Sequence, residues 1–421
     1  MAKQITFIHA ADLHLGAPLR GLRAASPALG ERLARAIPEA YDRLISVAVN
    51  RKVDFVVLAG DIFDQAQPSY ANFLQFVEGL QKLHVAGIPV YMLAGNHDPM
   101  TAWQNSFSDL PPNTYMFPGD RPGFAVYSRE GEPLALLGGR GFQTRVVSRE
   151  ESIAAGITLE AAREACGVDA PFAVGVLHTG LDIDTDKAPV SRAELLRSGF
   201  DYWALGHIHK RIVDSPNNPR LVFPGCIQGR DIHETGARGC YQVTLTEGQP
   251  NRLEFVPLAS VAWQIAHVDV SSCATVSDCH DTIMRELFRL NGMAKCEEMV
   301  ERIILHGATD LHSVLEKPGV LQDLRNQIKE GYPIFYCDAL IDHTEYPFDR
   351  DAILEEGLFP ATLLRQSSTQ IQDQSSAIAY LQDEFLAHGL ALPQSCVRHI
   401  DTLQHQAENL VIDLLRGDYH V

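Results

Sequence analysis

Five short apolar runs in this chain each lead to histidine, aspartate or asparagine, and that series restricts the fold more than any other feature. Ile5 to Ala10 leads to Asp12-Leu13-His14, Phe55 to Leu58 to Gly60-Asp61, and Val90 to Leu93 to Gly95-Asn96-His97-Asp98. Ala173 to Leu177 ends at His178, and Tyr202 to Leu205 leads to Gly206-His207-Ile208-His209. Runs this short and this apolar suit buried strands. In extended chain, residues i and i+2 point to one side, so the rings of His207 and His209 form a pair. A single such tip is an ordinary polar turn; five in series, each directly after an apolar run, imply strand ends that converge on one His/Asp/Asn cluster.

The tips stand in the order DxH, GD, GNHD, H and GHxH. That ordered set resembles the calcineurin-like metallophosphoesterases across residues 1–260. The resemblance implies an α/β fold, a four-layer β-sandwich flanked by helices. It also implies two adjoining divalent metal sites that share Asp61: Asp12, His14, Asp61 and His209 for one ion, and Asp61, Asn96, His178 and His207 for the other. Mixed oxygen and imidazole donors without thiolate suit manganese first, with iron or zinc also compatible. Two divalent ions, two carboxylates and a bridging hydroxide leave a net positive site, one that attracts an anionic phosphoester and its transition state. The expected chemistry is hydrolysis by a two-metal-activated hydroxide, without a covalent enzyme intermediate. His97 is not needed as a ligand; in the family the corresponding histidine stabilises the transition state or protonates the leaving oxygen. Asp98 is expected to orient that imidazole. Asp64 either joins the site or caps the segment that follows.

A chain of 421 residues exceeds what one core usually serves. The expected organisation is a metallophosphoesterase domain at 1–260 and a small α/β capping domain at 261–364. A linker at 365–376, rich in Gln and Ser, then leads to a C-terminal helical pair at 377–421. A loop is expected from Gly21 to Gly30, then a helix beginning near Pro38 with Tyr41, Leu44, Ile45 and Ala48 on one face. The net charge is −18, which at first argues against nucleic acid. By region, however, residues 1–260 hold 28 acidic and 24 basic residues, and 261–421 hold 25 and 11. The acidic excess belongs to the C-terminal part, and two divalent ions bring the first region near neutrality. Eight scattered cysteines without a CxxC pair fit reduced, buried thiols. The sequence shows neither a membrane span nor a signal peptide, so the expected location is cytoplasmic.

Two further stretches narrow the resemblance. Gly60-Asp61-Ile62-Phe63-Asp64 followed by Pro68-Ser69-Tyr70 is similar to the SbcD nucleases, partners of SbcC-like coiled-coil ATPases. Phe223-Pro224-Gly225-Cys226-Ile227-Gln228-Gly229-Arg230, with Glu234-Thr235-Gly236, resembles the YhaO branch of that group; Asp231 departs from the YhaO pattern and Pro99 from the SbcD one. The resemblance implies a DNA nuclease acting in repair or processing. Arg20, Arg23, Arg140, Arg145, Lys210, Arg211 and Arg230 are the basic residues expected to meet phosphates near the metals. The C-terminal helices are expected to dock on an SbcC-like ATPase, and a homodimer is a further arrangement to consider. Two other readings stay open: a phosphatase or phosphodiesterase for a small phosphoester, and a non-catalytic scaffold that retains the fold.

Overall fold

The computed structural model describes residues 2–17, 27–65, 68–106, 110–147, 152–184, 188–331, 335–347, 349–371 and 374–416. Its first half alternates strand and helix: β1 (Gln4–Ala10), α1 (Pro27–Arg51), β2 (Phe55–Ala59), α2 (Tyr70–Val85), β3 (Val90–Leu93), α3 (Met100–Ser106) and β4 (Thr114–Met116). Next come β5 (Gly123–Arg129), β6 (Glu132–Arg140), α4 (Leu159–Cys166), β7 (Phe172–His178), α5 (Arg192–Arg197) and β8 (Tyr202–Gly206). Four strands follow: β9 (Ile212–Val213), β10 (Leu221–Phe223), β11 (Gly239–Thr246) and β12 (Arg252–Pro257).

These strands form two six-stranded sheets, ordered β12-β11-β1-β2-β3-β4 and β5-β6-β7-β8-β10-β9. Both are mixed, as βαβ crossovers and hairpins together require. Adjacent residues of one strand serve opposite faces. Phe7 packs between the sheets with Phe55, Val57, Val176 and Tyr202, whereas Ile8 faces Tyr41, Leu44 and Phe76 of the helices α1 and α2. On the far side, Leu136, Leu177 and Trp203 of the second sheet meet Ile157, Ala162 and Leu195 around α4 and α5. The result is helix, sheet, sheet, helix: the expected layered α/β sandwich.

Helix α1 starts earlier than expected, at Pro27, and runs through Pro38. The missing amide of Pro38 costs a backbone bond, but Leu29, Leu33, Ala36 and Ile37 are all buried, and that packing holds the extra turns. Ser69 caps α2 by accepting from the Asn72 amide.

The chain divides into two compact units, one comprising Met1–Gln264 with Leu290–Val300, the other Ile265–Arg289 with Glu301–Val421. The remaining strands, β13 (Val261–Asp269), β14 (Glu298–Ala308) and β15 (Phe335–Glu345), pair in that order. Their helices are α6 (Val276–Ala294), α7 (His312–Leu315), α8 (Val320–Gly331), α9 (Arg350–Glu356), α10 (Phe359–Ile371), α11 (Gln374–Ala387), α12 (Gln394–Arg398) and α13 (Ile400–Arg416). The expected linker is thereby corrected: its residues 365–371 complete α10, and α11 begins at Gln374. Gln and Ser are only mildly poor helix formers, no Gly or Pro interrupts the stretch, and buried Ala361 and Leu364 anchor the preceding turns.

Candidate metal centre

Strands β1, β2 and β3 are mutually parallel, and so are β7 and β8, so the five polar tips gather at one end of the sandwich. Hydrogen bonds tie the tips together, both between the two sheets and within the first. The Asp12 carboxylate accepts from the His207 amide at 3.1 Å, and the His97 amide donates to Asp61 Oδ1 at 2.9 Å. The close approach depends on glycine at two points: a Cβ on Gly95 would overlap the Asp61 carboxylate, and one on Gly206 would overlap the Ala59 carbonyl. Asp12, His14, Asp61 and His207 have φ of 52°, 48°, 50° and 97°, a conformation that non-glycine residues rarely adopt and that concentrates at functional sites.

The donors fall into two groups. In one, His14 Nε2 and His209 Nε2 lie 3.1 Å apart, with Asp12 Oδ1 3.7 Å from His209 Nε2 and Asp61 Oδ2 3.8 Å from His14 Nε2. In the other, Asn96 Oδ1 lies 3.1 Å from His178 Nε2 and 3.2 Å from His207 Nδ1, and Asp61 Oδ2 is 3.3 Å from His178 Nε2. The same Asp61 oxygen belongs to both groups.

The outer nitrogen of every one of these four imidazoles is against an oxygen. His178 Nδ1 pairs with the Ala59 carbonyl at 2.9 Å and His209 Nδ1 with Glu234 Oε1 at 2.6 Å. His207 Nε2 lies 3.2 Å from Asp184 Oδ2, and His14 Nδ1 lies 3.1 Å from Asp64 Oδ1. A neutral imidazole has one proton, so donation outward leaves a lone pair aimed inward. Inward lone pairs then confront the Asp12, Asp61 and Asn96 oxygens, acceptor against acceptor. That arrangement fits divalent cations.

The electrostatics agree. Burial depresses the His178 imidazole, but Asp61 beside it prevails and pushes it up to about 9. Without a cation a proton is favoured between His178 Nε2 and Asp61, 3.3 Å apart, and a divalent ion held there would take that proton's place. Burial also works against ionisation of Asp61 and Glu234, yet His178 and His14 around the first, and His209 and Arg230 around the second, hold both carboxyls well below the usual range.

His97 is half-exposed. Its Nδ1 bonds the Asp64 carbonyl at 2.9 Å, and its ring meets that of His14 edge to face, centroids 4.9 Å apart. Asp98 does not orient it, contrary to the expectation. The Asp98 carboxylate is buried and accepts from the amides of Gly95 at 2.9 Å, Ile62 at 3.0 Å and Phe63 at 3.1 Å, so it staples two ligand loops instead. Asp64 caps no helix; it sits beside His14 and accepts from Arg230 Nη1 at 2.9 Å.

The basic residues expected to meet phosphate divide sharply. Arg20 and Arg23 lie outside the described residues. Lys210 and Arg145 are exposed, and half-buried Arg140 donates to the Gly119 carbonyl at 3.3 Å. Arg211 stacks on Phe255 with its guanidinium carbon 3.9 Å from the ring centroid. Arg230 is built into the site, paired with Asp64 and Glu234. Asp231 accepts from the His233 amide in an exposed turn. Sequence reasoning missed the ligand-holding roles of Glu234 and Asp184 and the part of Arg238, which donates to the His209 and Thr235 carbonyls. The only sequence signal for Glu234 was its place in a resembling motif.

Comparison with known proteins agrees with this geometry. The calcineurin-like phosphoesterase family model matches residues 5–211, and the model for the middle domain of metallophosphoesterase YhaO matches residues 263–344. The chain is similar to the uncharacterized metallophosphoesterase YhaO of Bacillus subtilis, 33% identical over 334 residues, 78% of each protein. It is also similar to the DNA double-strand break repair protein Mre11 of Methanopyrus kandleri, 24% identical over 397 residues, 87% of this chain and 79% of that one. The Mre11 of Aeropyrum pernix is 26% identical over 243 residues, 55% of this chain and 56% of its own.

Proposed function

From the premise that this chain belongs to the calcineurin-like metallophosphoesterases, we propose that it is a manganese-dependent DNA nuclease. The observation that carries the reading is the pair of inward-facing donor groups sharing one Asp61 oxygen, beside a half-exposed His97 that is free of both groups. When bound, the two ions supply positive charge to a phosphoester and acidify water at the site. The protein's own contributions are distinct. Asp64 fixes the His97 ring through Nδ1, which leaves Nε2 to meet the leaving oxygen; the strained loops hold the ligands; and Asp98 fastens those loops to each other.

DNA as substrate is supported by the similarity to the Mre11 proteins and by exposed Lys210 and Arg145 near the tips, where they can meet phosphates without reading sequence. An SbcC-like coiled-coil ATPase as partner, met through the C-terminal helices, is supported by the SbcD resemblance of the stretch from Gly60 to Asp64. The eight cysteines are all free, which suits a reducing compartment such as the cytoplasm. One observation favours a small phosphoester instead: Arg230, one of the cations expected to hold DNA, is engaged within the protein.

One assay separates the readings. The purified protein with manganese is offered duplex DNA, single-stranded DNA, p-nitrophenyl phosphate and its bis ester. Cleavage of DNA is expected, and Lys210→Ala should weaken DNA binding and flatten its salt dependence. Robust turnover of the small esters with every DNA left intact would establish the second reading.

A further inference from the structure

Behind one donor group the side chains close into a ring. His14 and His209 face each other through Nε2, and each turns Nδ1 to a carboxylate, Asp64 and Glu234 respectively. The guanidinium of Arg230 then joins those carboxylates, Nη1 to Asp64 Oδ1 at 2.9 Å and Nη2 to Glu234 Oε1 at 3.1 Å, with Nη2 also 3.1 Å from His209 Nδ1. Its backbone amide donates to the second Glu234 oxygen at 2.7 Å, so both oxygens of Glu234 are directed. Resting on the two-ion reading of the site, we infer that Arg230 is a positioning residue for metal binding, acting through Asp64 and Glu234 on the imidazoles of His14 and His209, and is not a contact for phosphate.

The physical argument starts from the imidazole. A ligand histidine must present a lone pair, and the group on its other nitrogen decides which nitrogen that is. Glu234 is only 7% exposed, and a buried carboxylate needs donors on its oxygens. Arg230 supplies donors to Glu234 and Asp64 at once. A planar fork with two separated donors can hold two carboxylates at fixed angles, which a lysine ammonium on a flexible stem does not do. The geometry is asymmetric across the centre: His178 is held by a neutral carbonyl and His207 by the part-exposed Asp184, and neither touches Arg230. The clamp therefore acts on one ion of the two.

The test compares metal-free wild-type protein with Arg230→Lys and Glu234→Gln. Each is titrated with Mn2+ by calorimetry, melted in chelator, and assayed for binding to duplex DNA without metal. Wild type should take up two ions. Each variant should bind one of them about 10- to 100-fold more weakly and the other unchanged, with melting temperature and metal-free DNA binding preserved. Weaker DNA binding by Arg230→Lys with Mn2+ uptake intact would overturn the inference, as would equal weakening of both ions together with a lower melting temperature. Glu234→Gln keeps the side chain's shape and covers the case in which the arginine variant fails to fold. Wild-type protein that takes up no Mn2+ would remove the two-ion reading itself; two ions bound alike by wild type and variants would remove the clamp alone.

Discussion

His97 and Asp98 are adjacent in sequence and answer to different physics. The His97 side chain is 41% exposed, so its removal uncovers little and leaves the ligands in place. His97→Ala should lower turnover about 10²- to 10⁴-fold, the usual range for a general acid, with Mn2+ content and melting temperature unchanged; undiminished turnover would mean that the ring is only a turn residue. Asp98→Ala instead strands three buried amides. A buried donor without a partner costs roughly 1–3 kcal/mol, so this variant should lose several kcal/mol in a denaturant titration before any kinetic effect is examined. At the shared ligand, Asp61→Ala should remove activity and metal together, and elemental analysis showing full metal content would overturn its place in both donor groups.

At the scale of elements, parallel strands bring the tips together and the loops beyond them absorb the cost. Asp12, His14, Asp61 and His207 sit at positive φ, and glycines at 95 and 206 let carboxylate and carbonyl approach. Strand β14 holds a different kind of cost. Glu301 is fully buried, neither of its side-chain oxygens has a hydrogen-bond partner among the described residues, and burial pushes its carboxyl up to about 8. The folded chain keeps it protonated while the unfolded chain ionises it at the ordinary value. Its contribution to stability is thus fully present below about 4.5 and is lost as pH rises through about 8, at about 1.4 kcal/mol per unit across that window. Glu301→Gln removes this titration. Relative to wild type, the variant's melting temperature should rise between pH 5 and pH 8, and a constant difference between the two proteins would contradict the assignment.

For the whole molecule, the acidic excess lies in the C-terminal part, away from the chemistry in sequence. No helix among the described residues is long and apolar enough to cross a membrane. The last helices are only partly their own core. Ile412 packs with Ile353 and Leu364, and the Gln404 amide donates to the Ser367 carbonyl at 2.9 Å, whereas α11 buries no residue and Leu403 and Leu410 are 40% and 60% exposed. If these stripes meet a coiled-coil ATPase, Leu403→Glu with Leu410→Glu should abolish co-purification with that partner and leave the basal turnover of the isolated protein intact. Retained partner binding, or a large drop in melting temperature, would assign the stripes to the protein itself.

The sequence by itself determined the strands and the identity of the inward-facing donors. Apolar runs of period and length suited to strands are local signals, and polar tips after parallel strands can only meet at one end of a sheet. Read locally, Pro38 and the Gln/Ser stretch look like boundaries, because the buried faces that carry α1 and α10 past them depend on distant packing. What only the tertiary structure decided is the set of groups behind the ligands. Arg230 reaches Asp64 across 166 residues of sequence and Glu234 reaches His209 across 25, and no periodicity encodes such pairs. Charge alone makes Arg230 look like a surface cation; the structure sets its guanidinium between the Asp64 and Glu234 carboxylates. Which oxygen faces which nitrogen is fixed when the two sheets close on each other, because only then do the loops of each sheet come within hydrogen-bond reach of the other.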